Sequence, residues 1–582
     1  MPQKDRSDLN VQKVLQMLWQ GFDTFCRDFR DITGRACRRF EQRDWQGMHQ
    51  DIVERLDLYQ LVVDQTQSAL LASLADQARD CSLWLSVREQ FARQSAQRCD
   101  SQLAGTFYNS INRRIFQTVG IDPKLEFIEN LEPAHDDDNR PRLVFSLMVE
   151  RVSAQTISSI LTRYRFRSEF SDLQTDAMLC ARRIHRLLAE EGEGIAGVRI
   201  EMLKAAFFRD MNAYLIGRMS CNGRQWPLVF ALGHDDQGLF VDALLLRPEE
   251  IRILFSFTRA YFHVQTPCPG ELVQFLKQLM PQKRNAELYI VLGFHKHGKT
   301  ELYRDLLDHR QVCGQDRFTP AAGQRGMVMI AFTMPEDDLI YKLIRDRFAS
   351  PKKTTQQQVM EKYDYVFKHD RAGRLLDVQT FENLEIEQCC FTPELLAEIR
   401  REAGQTAIFT DDAVIFQHIY VERRVTPLDL YLQHAPDDAG EAAVIDYGQA
   451  IKDLAHINVF PGDMLIKNFG VTRLGRVVFY DYDELCPLTV CNFRHMPQAI
   501  RYEDALEAEP WFLVNDKDVF PEEFSAFLGL APHQREVFLR HHADLLTPEF
   551  WQHTQAQIRA GVWTPILPYT DAQRLHRPRT AG

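Results

Sequence analysis

HINVFPGDMLIKNFG, residues 456–470, decides how the second half of this chain is read. Asp463 and Asn468 stand in it as D-x-x-x-x-N. A β-prone run, Val477-Val478-Phe479-Tyr480, follows and ends in Asp481-Tyr482-Asp483. A carboxylate that takes up a hydroxyl proton, an amide oxygen and a strand-borne carboxylate that hold a metal are the parts phosphoryl transfer needs. The reacting oxygens must be aligned and the phosphate charge neutralised. Either piece by itself also reads as an Asn/Asp-rich surface turn or an acidic strand end.

Upstream lies a glycine loop, Ala321, Ala322, Gly323, Gln324, Arg325, Gly326 and Met327, opening a strand over Gly326 to Phe332. A turn, Pro335-Glu336-Asp337-Asp338, leads to a second strand, Leu339 to Ile344. Alternation puts Ile340, Lys342 and Ile344 on one face, where Lys342 reaches ATP phosphates lying under the loop. Glycine loop, strand lysine, Asp-to-Asn loop and strand-borne Asp occur in the order of a protein-kinase domain. Thr354 to Lys368 reads as a helix whose Glu361 either pairs with Lys342 in the manner of the αC glutamate or is a solvated glutamate. Ala413 to Val421 reads as the hinge strand, whose backbone rather than its side chains holds adenine.

A competing stretch is LYIVLGFHKHGKTELYRDLL, residues 288–307, in which Gly293 to Thr300 fits G-x-x-x-x-G-K-[ST]. Its apolar lead-in reads as a strand. Phosphate loops work because small residues let successive N–H groups curl around an anion at a helix start. Here Phe294, His295, Lys296 and His297 are bulky, and no βαβ alternation surrounds them. The stretch is a phosphate loop using Lys299 and Thr300, a strand-to-helix turn bearing a basic surface patch, or a weaker anion site for an effector nucleotide.

The chain has 582 residues, 45% of them hydrophobic, enough for two to four domains. A net charge of −12 argues against sequence-blind nucleic-acid binding. No apolar run approaches the ~18 residues of a membrane span, the N-terminus lacks a signal-peptide core, and the twelve cysteines contain no C-x-x-C. A cytoplasmic protein with reduced thiols is expected. Val11, Val14, Leu15, Leu18, Phe22, Phe25 and Phe29 line one helix face. Residues 132–141 read as an exposed acidic loop, and Asn212–Met219, Pro227–Leu232 and Leu239–Leu246 as an antiparallel meander.

AAGQRGMVMIAFTMP, YKLIRDRF, PGDMLIKNFG and VVFYDYDEL together resemble the bacterial isocitrate dehydrogenase kinase/phosphatase family, as do HKHGKTELYR and YVERRVTPLDLYL. The resemblance implies an α+β chain: a mixed helical and antiparallel-sheet regulatory domain, 1–314, then a bilobal protein-kinase-like domain, 315–582. It implies phosphorylation of a serine of NADP-dependent isocitrate dehydrogenase, which shuts that enzyme off, and removal of the phosphate. Carbon is thereby steered between the tricarboxylic acid cycle and the glyoxylate bypass. The implied cofactors are ATP or ADP with Mg2+ (or Mn2+), and AMP is the implied effector, favouring the phosphatase. Isocitrate dehydrogenase is the implied protein partner, without nucleic acid or membrane, and a homodimer is allowed for.

By motif, Ala321–Met327 and Lys342 become nucleotide-binding, Asn468 and Asp481 metal ligands, and Asp463 and Lys467 catalytic. Asp377, in RLLDVQTFE, becomes the residue of phosphatase chemistry, although by itself an Asp before such a stretch reads as a helix cap. Pro461-Gly462-Asp463 replaces H-R-D, and Asp481-Tyr482-Asp483 replaces D-F-G, which puts the extra carboxylate of Asp483 beside the metal. A P-loop NTPase and a nucleotide-sensing degenerate kinase are the alternatives.

Overall fold

The apolar residues that recur every three or four positions from Val11 to Phe29 are all buried on one face of helix α1 (Pro2–Glu41). They pack on α2 (Trp45–Leu74), α3 (Cys81–Ser95) and α4 (Ser101–Phe116) in one apolar core. Asp44 and Asp80 start α2 and α3 by accepting the N–H groups of Gly47 and Ser82, as aspartate N-caps do. The computed structural model describes residues 2–131, 142–192, 197–256, 262–311, 316–323, 325–349, 352, 354–497 and 512–575. The expected acidic loop at 132–141 lies outside them. Two compact units result: Met1–Val312 with Leu567–Gly582, and Cys313–Ile566.

The first unit also holds an antiparallel sheet of β1 (Val144–Val149), β2 (Val198–Leu203), β3 (Phe207–Arg209), β4 (Asn212–Cys221), β5 (Arg224–Asp235) and β6 (Gly238–Leu245). Its order is β1-β2-β4-β5-β6, with β3 also on β4. Asn222 and Gly223 turn β4 into β5 with φ of 50° and 78°, the left-handed pair a two-residue hairpin requires. Helices α5 (Ala154–Leu161) and α6 (Leu173–Glu190) contribute to a second core with this sheet. Helices α7 (Pro248–Leu254), α8 (Pro269–Leu279), α9 (Asn285–Val291) and α10 (His295–Gln311) follow. The chain's last described stretch returns here: Tyr569 donates to Asp242 at 2.7 Å, and Arg574 pairs with the same carboxylate at 2.8 Å.

One expectation changes in this unit. The run before Gly293 is helix α9, not a strand. Leu288 to Leu292 are buried all round, so the run carries no period to separate the two states. The Glu287 carboxylate accepts the Arg284 N–H and starts the helix. The corner is therefore helix–turn–helix.

In the second unit, β7 (Thr319–Pro320), β8 (Met329–Thr333), β9 (Leu339–Ile344), β10 (Val378–Glu387), β11 (Ala407–Phe409) and β12 (Ala413–Arg423) form an antiparallel sheet. Its order is β10-β12-β9-β8-β7, with β11 also on β12. Strand β8 starts at Met329 rather than Gly326, because Gly326 to Val328 are held as loop by Arg345, which donates to the Gly326 carbonyl and whose N–H bonds Val328. Helix α11 (Gln356–His369) stands where helix was expected, and α12 (Pro393–Glu402) follows β10. Then come β13 (Thr426–Pro427), α13 (Leu428–His434), α14 (Asp437–His456), β14 (Val459–Phe460), β15 (Phe469–Val471) and β16 (Val477–Phe479).

The segment before β10 is tied down by charge. Arg374 is buried; it bonds Asp446 through two nitrogens at 2.8 and 2.7 Å, Asp453 at 2.8 Å and the Val477 carbonyl at 2.9 Å. Burial pulls its pKa down, but Asp453 and Asp446 outweigh that and hold it above the usual arginine value. Arg374→Met leaves the Asp446 and Asp453 carboxylates without their shared cation, and the cost of breaking such a buried pair is about 3–5 kcal/mol. Urea unfolding of the second unit should show a loss of that size; a loss below about 1 kcal/mol, the level of an exposed pair, would contradict the arrangement.

Candidate active site

Lys342 is only 8% exposed, at the centre of β9, with Ala331 of β8 and Tyr420 of β12 on either side in register. A buried ammonium needs a partner. Glu422, 3% exposed on β12, supplies it: Nζ to Oε1 is 2.7 Å. Nζ also donates to the Tyr480 carbonyl at 2.9 Å and lies 5.1 Å from the centre of the Tyr480 ring. The ammonium thus points at the residue before Asp481. Burial pushes the Glu422 carboxyl up, Lys342 opposes that, and Asp481 adds to it, so Asp481 lies within electrostatic reach.

Of the two readings of Glu361, pairing with Lys342 or solvation, the structure shows the second. Glu361 is exposed on α11 and takes a hydrogen bond from Gln357 one turn away. The hinge strand was expected to act through its backbone alone, yet it supplies the carboxylate. Its one available signal was an acid two places from Tyr420, the residue opposite Lys342.

The Asp463 loop is shaped by Gly462. Its φ is 78°, and a Cβ there would stand 2.5 Å from the Glu484 carbonyl, so only glycine lets the loop close on the Asp481–Glu484 segment. Asp463 Oδ1 accepts the Leu465 N–H at 3.0 Å, which fixes the carboxylate in a tight turn. Asn468 is buried, and its amide N–H donates to the Asp463 carbonyl at 3.3 Å, which turns Oδ1 the other way. The Tyr480 N–H donates to the Asn468 carbonyl at 3.1 Å, and β15 pairs with β16 beside it. Lys467 is half-buried in the intervening turn, its carbonyl accepting from the Tyr480 hydroxyl. Asp463, Asn468, Lys342 and Asp481 are therefore stitched together through Tyr480 and one loop.

Asp483 sits beside Asp481. Burial and the Asp481 charge push its carboxyl up to about 7, against the pull of Lys352, Lys342 and Lys362. Lys352 lies 3.9 Å from that carboxylate, and Lys362 donates to the Asp483 carbonyl. Crowded carboxylates next to an amide oxygen form a hard-oxygen donor set of the kind Mg2+ takes. The residues fit such an ion, and Asn468 and Asp481 are the ones that would hold it.

Asp377 is not a helix cap. It precedes strand β10, and its Oδ2 accepts from Gln379 at 2.9 Å. Arg374 and Leu376 lie along β16: the Phe479 N–H donates to the Arg374 carbonyl at 2.7 Å. The Asp377 charge contributes to the upward shift of the Tyr482 phenol, which burial dominates, so it stands near the Asp481–Asp483 segment. Only long-range strand pairing brings it there.

Of the glycine loop, Gln324 lies outside the described residues. Ala321 bonds the Ala331 carbonyl at 2.9 Å, and Gly323 has φ of 107°. Ala322, Arg325, Gly326 and Met327 are exposed, as a loop that covers a ligand must be. Arg325 reaches Glu398 at 3.5 Å, the same carboxylate that holds Arg345 at 3.1 Å.

The Gly293–Thr300 turn, in the first unit, is not a cradle. Gly293, φ 94°, lies against the buried Arg55 guanidinium, which donates to the Leu292 and Phe262 carbonyls at 2.9 Å. His295 and His297 are buried rather than a surface patch. His297 bonds Thr106 at 2.7 Å, and burial pulls its pKa to about 3, so it is neutral at pH 7.

A six-stranded antiparallel sheet bearing a paired lysine, a D-x-x-x-x-N loop and a strand-borne aspartate define a phosphotransferase of the protein-kinase class. The isocitrate dehydrogenase kinase/phosphatase (AceK) kinase-domain model matches residues 316–571, and the regulatory-domain model of the same family matches 15–313. The chain belongs to the isocitrate dehydrogenase kinase/phosphatase family. It is 44% identical over 555 residues to the isocitrate dehydrogenase kinase/phosphatase of Anaeromyxobacter sp. (strain Fw109-5), covering 95% of this chain and 96% of that one. It is 40% identical over 578 residues to that of Xanthomonas campestris pv. campestris (strain 8004), covering 99% of both. A solved Toxoplasma gondii virulence factor with a protein-kinase fold and no enzymatic activity overlaps 44% of this chain and 90% of its own, at 13% identity and a TM-score of 0.21, too slight a likeness to carry weight. No helix among the described residues is long and apolar enough to cross a membrane.

Glu422→Gln removes the charge that fixes Lys342. The ATP dissociation constant should rise at least about tenfold, equal to about 1.4 kcal/mol, in calorimetric titration of protein with an unchanged melting temperature. An unchanged constant would contradict the pairing. Lys299→Ala should leave that constant within about twofold, since Lys299 belongs to the first unit and the Lys342–Glu422 pair to the second; loss of ATP binding would move the nucleotide to the Gly293–Thr300 turn.

Proposed function

We propose that this chain transfers the γ-phosphoryl group of ATP to a serine of NADP-dependent isocitrate dehydrogenase and also removes it. The observation that carries this is the buried Lys342–Glu422 pair, aimed at Tyr480 and set beside Asp481 and the Asp463–Asn468 loop. Family membership over almost the whole chain supports the substrate.

Lys342, held at fixed geometry by Glu422 and the Tyr480 carbonyl, binds the phosphates of ATP under the Ala321–Met327 loop. Mg2+ held by Asn468 and Asp481 would neutralise charge on the phosphate oxygens. Asp463 takes the proton from the serine hydroxyl as the hydroxyl attacks the γ-phosphorus, and ADP leaves. Lys467, four residues on, serves the same loop. Proton transfer to a placed carboxylate contributes about 10²–10⁴-fold. For dephosphorylation we assign Asp377 to orient the attacking water or the phosphoryl group returning to ADP, with Asp483 as the neighbouring extra carboxylate. AMP comes with the family resemblance as the effector that favours the phosphatase. Phosphorylation turns isocitrate dehydrogenase off and sends carbon through the glyoxylate bypass.

Radiolabelled phosphate transfer from ATP to isocitrate dehydrogenase should be seen with the native chain and fall at least ~10²-fold in Asp463→Asn. Added AMP should speed release of the label. Asp377→Ala should depress release far more than transfer. Absence of transfer with intact nucleotide binding would leave a nucleotide-sensing protein; equal loss of both activities in Asp377→Ala would remove its separate role.

A further inference from the structure

Tyr482 stands where D-F-G has phenylalanine, and the two side chains differ by one hydroxyl. Here that hydroxyl has definite partners. It accepts the Leu376 N–H at 2.8 Å and donates toward the Leu376 carbonyl at 3.0 Å, with the Phe479 carbonyl at 3.4 Å. The ring is fully buried, with the Tyr363 ring 5.0 Å away edge-on and Phe479 at 5.8 Å.

One phenol therefore grips both main-chain polar groups of a single residue, and the next residue is Asp377. The two peptide groups that flank Leu376 are thereby both held, because the N–H and C=O point along defined directions. On its other side the same segment is fixed by Arg374 on Asp446 and Asp453. Arg374 ties it to α14, whereas Tyr482 ties it to the residue bonded to Asp481. Main-chain bonds of Phe479 to Arg374 and Leu376 also hold the segment along β16, and the Tyr482 hydroxyl adds an anchor at the residue before Asp377 from the residue after Asp481.

We propose that Tyr482 is a positioning residue for dephosphorylation: its hydroxyl sets where Asp377 stands relative to Asp481 and acts on the reaction through Asp377. This rests on the assignment of Asp377 made above. A catalytic group held about 1 Å from its place loses on the order of 10²-fold, and a slackened one loses less. Tyr482→Phe is a mild variant. It keeps the buried ring, and the Leu376 N–H retains a longer bond to the Phe479 carbonyl at 3.3 Å, while the Leu376 carbonyl loses the hydroxyl.

The test measures kcat and KM for phosphate transfer and for phosphate release in the full chain, for Tyr482→Phe and for Asp377→Ala, with melting temperatures. The proposal expects Tyr482→Phe to lower the ratio of release to transfer kcat about tenfold, with KM for phosphorylated isocitrate dehydrogenase within about twofold. A fall of both activities by one factor, or a shift confined to KM, marks the hydroxyl as structural and overturns the proposal; so does no change. If Asp377→Ala lowers release selectively and Tyr482→Phe does not, Tyr482 alone fails. If Asp377→Ala lowers both equally, the Asp377 assignment fails and takes this proposal with it.

Discussion

A lysine ammonium cannot be left unpaired inside a β-sheet, and the catalytic unit is organised around how Lys342 meets that constraint. Glu422 compensates its charge from the adjacent strand, so the pair is built into strand register rather than into the position of a helix. The consequence is rigidity. A lysine paired from a mobile helix can be switched by moving that helix; one paired from its neighbouring strand keeps its geometry whatever α11 does. A second of its three donors goes to the Tyr480 carbonyl, which places the ammonium at the mouth of the Asp481 segment and leaves one donor for a phosphate.

Negative charge gathers on the other side. Asp481, Asp483 and Glu422 interact strongly enough that Asp483 and Glu422 are both held above the usual carboxylate range, with burial the larger cause in each. Lys352 and Lys362 partly offset this at Asp483 and Glu484. Such a site would suit a divalent cation and would offer more than one oxygen to orient water. That surplus of carboxylates sets it apart from a site built for transfer alone. Asp377 adds a further one by an unusual route: it is carried in on a segment that lies along β16 and is clamped by Arg374 and by the Tyr482 hydroxyl.

What the sequence revealed follows the range of the interactions involved. The strand of Lys342, the turn that holds Asp463 and Asn468, and the strand before Asp481 are local features, and alternation or fixed spacing makes each legible. Glu422 was passed over because its role depends on which strand lies beside β9, a long-range fact. The Asp377 segment read as a helix start for the same reason, since its bonding partners stand about a hundred residues downstream. Gly293–Thr300 had the letters of a phosphate loop. Leu288 to Leu292, apolar on every side, hid the helix that makes it a buried corner instead. The return of Tyr569 and Arg574 to Asp242 left no local trace at all.

The central claim is that one nucleotide site, organised by Lys342 and Glu422, serves this chain. A crystal structure with a non-hydrolysable ATP analogue and magnesium tests it most directly. The account predicts phosphate density against Lys342 beneath Ala321–Met327, with the metal between Asn468 and Asp481. Triphosphate bound at the Gly293–Thr300 corner, with Lys342 still closed on Glu422 and no nucleotide beside it, would contradict it.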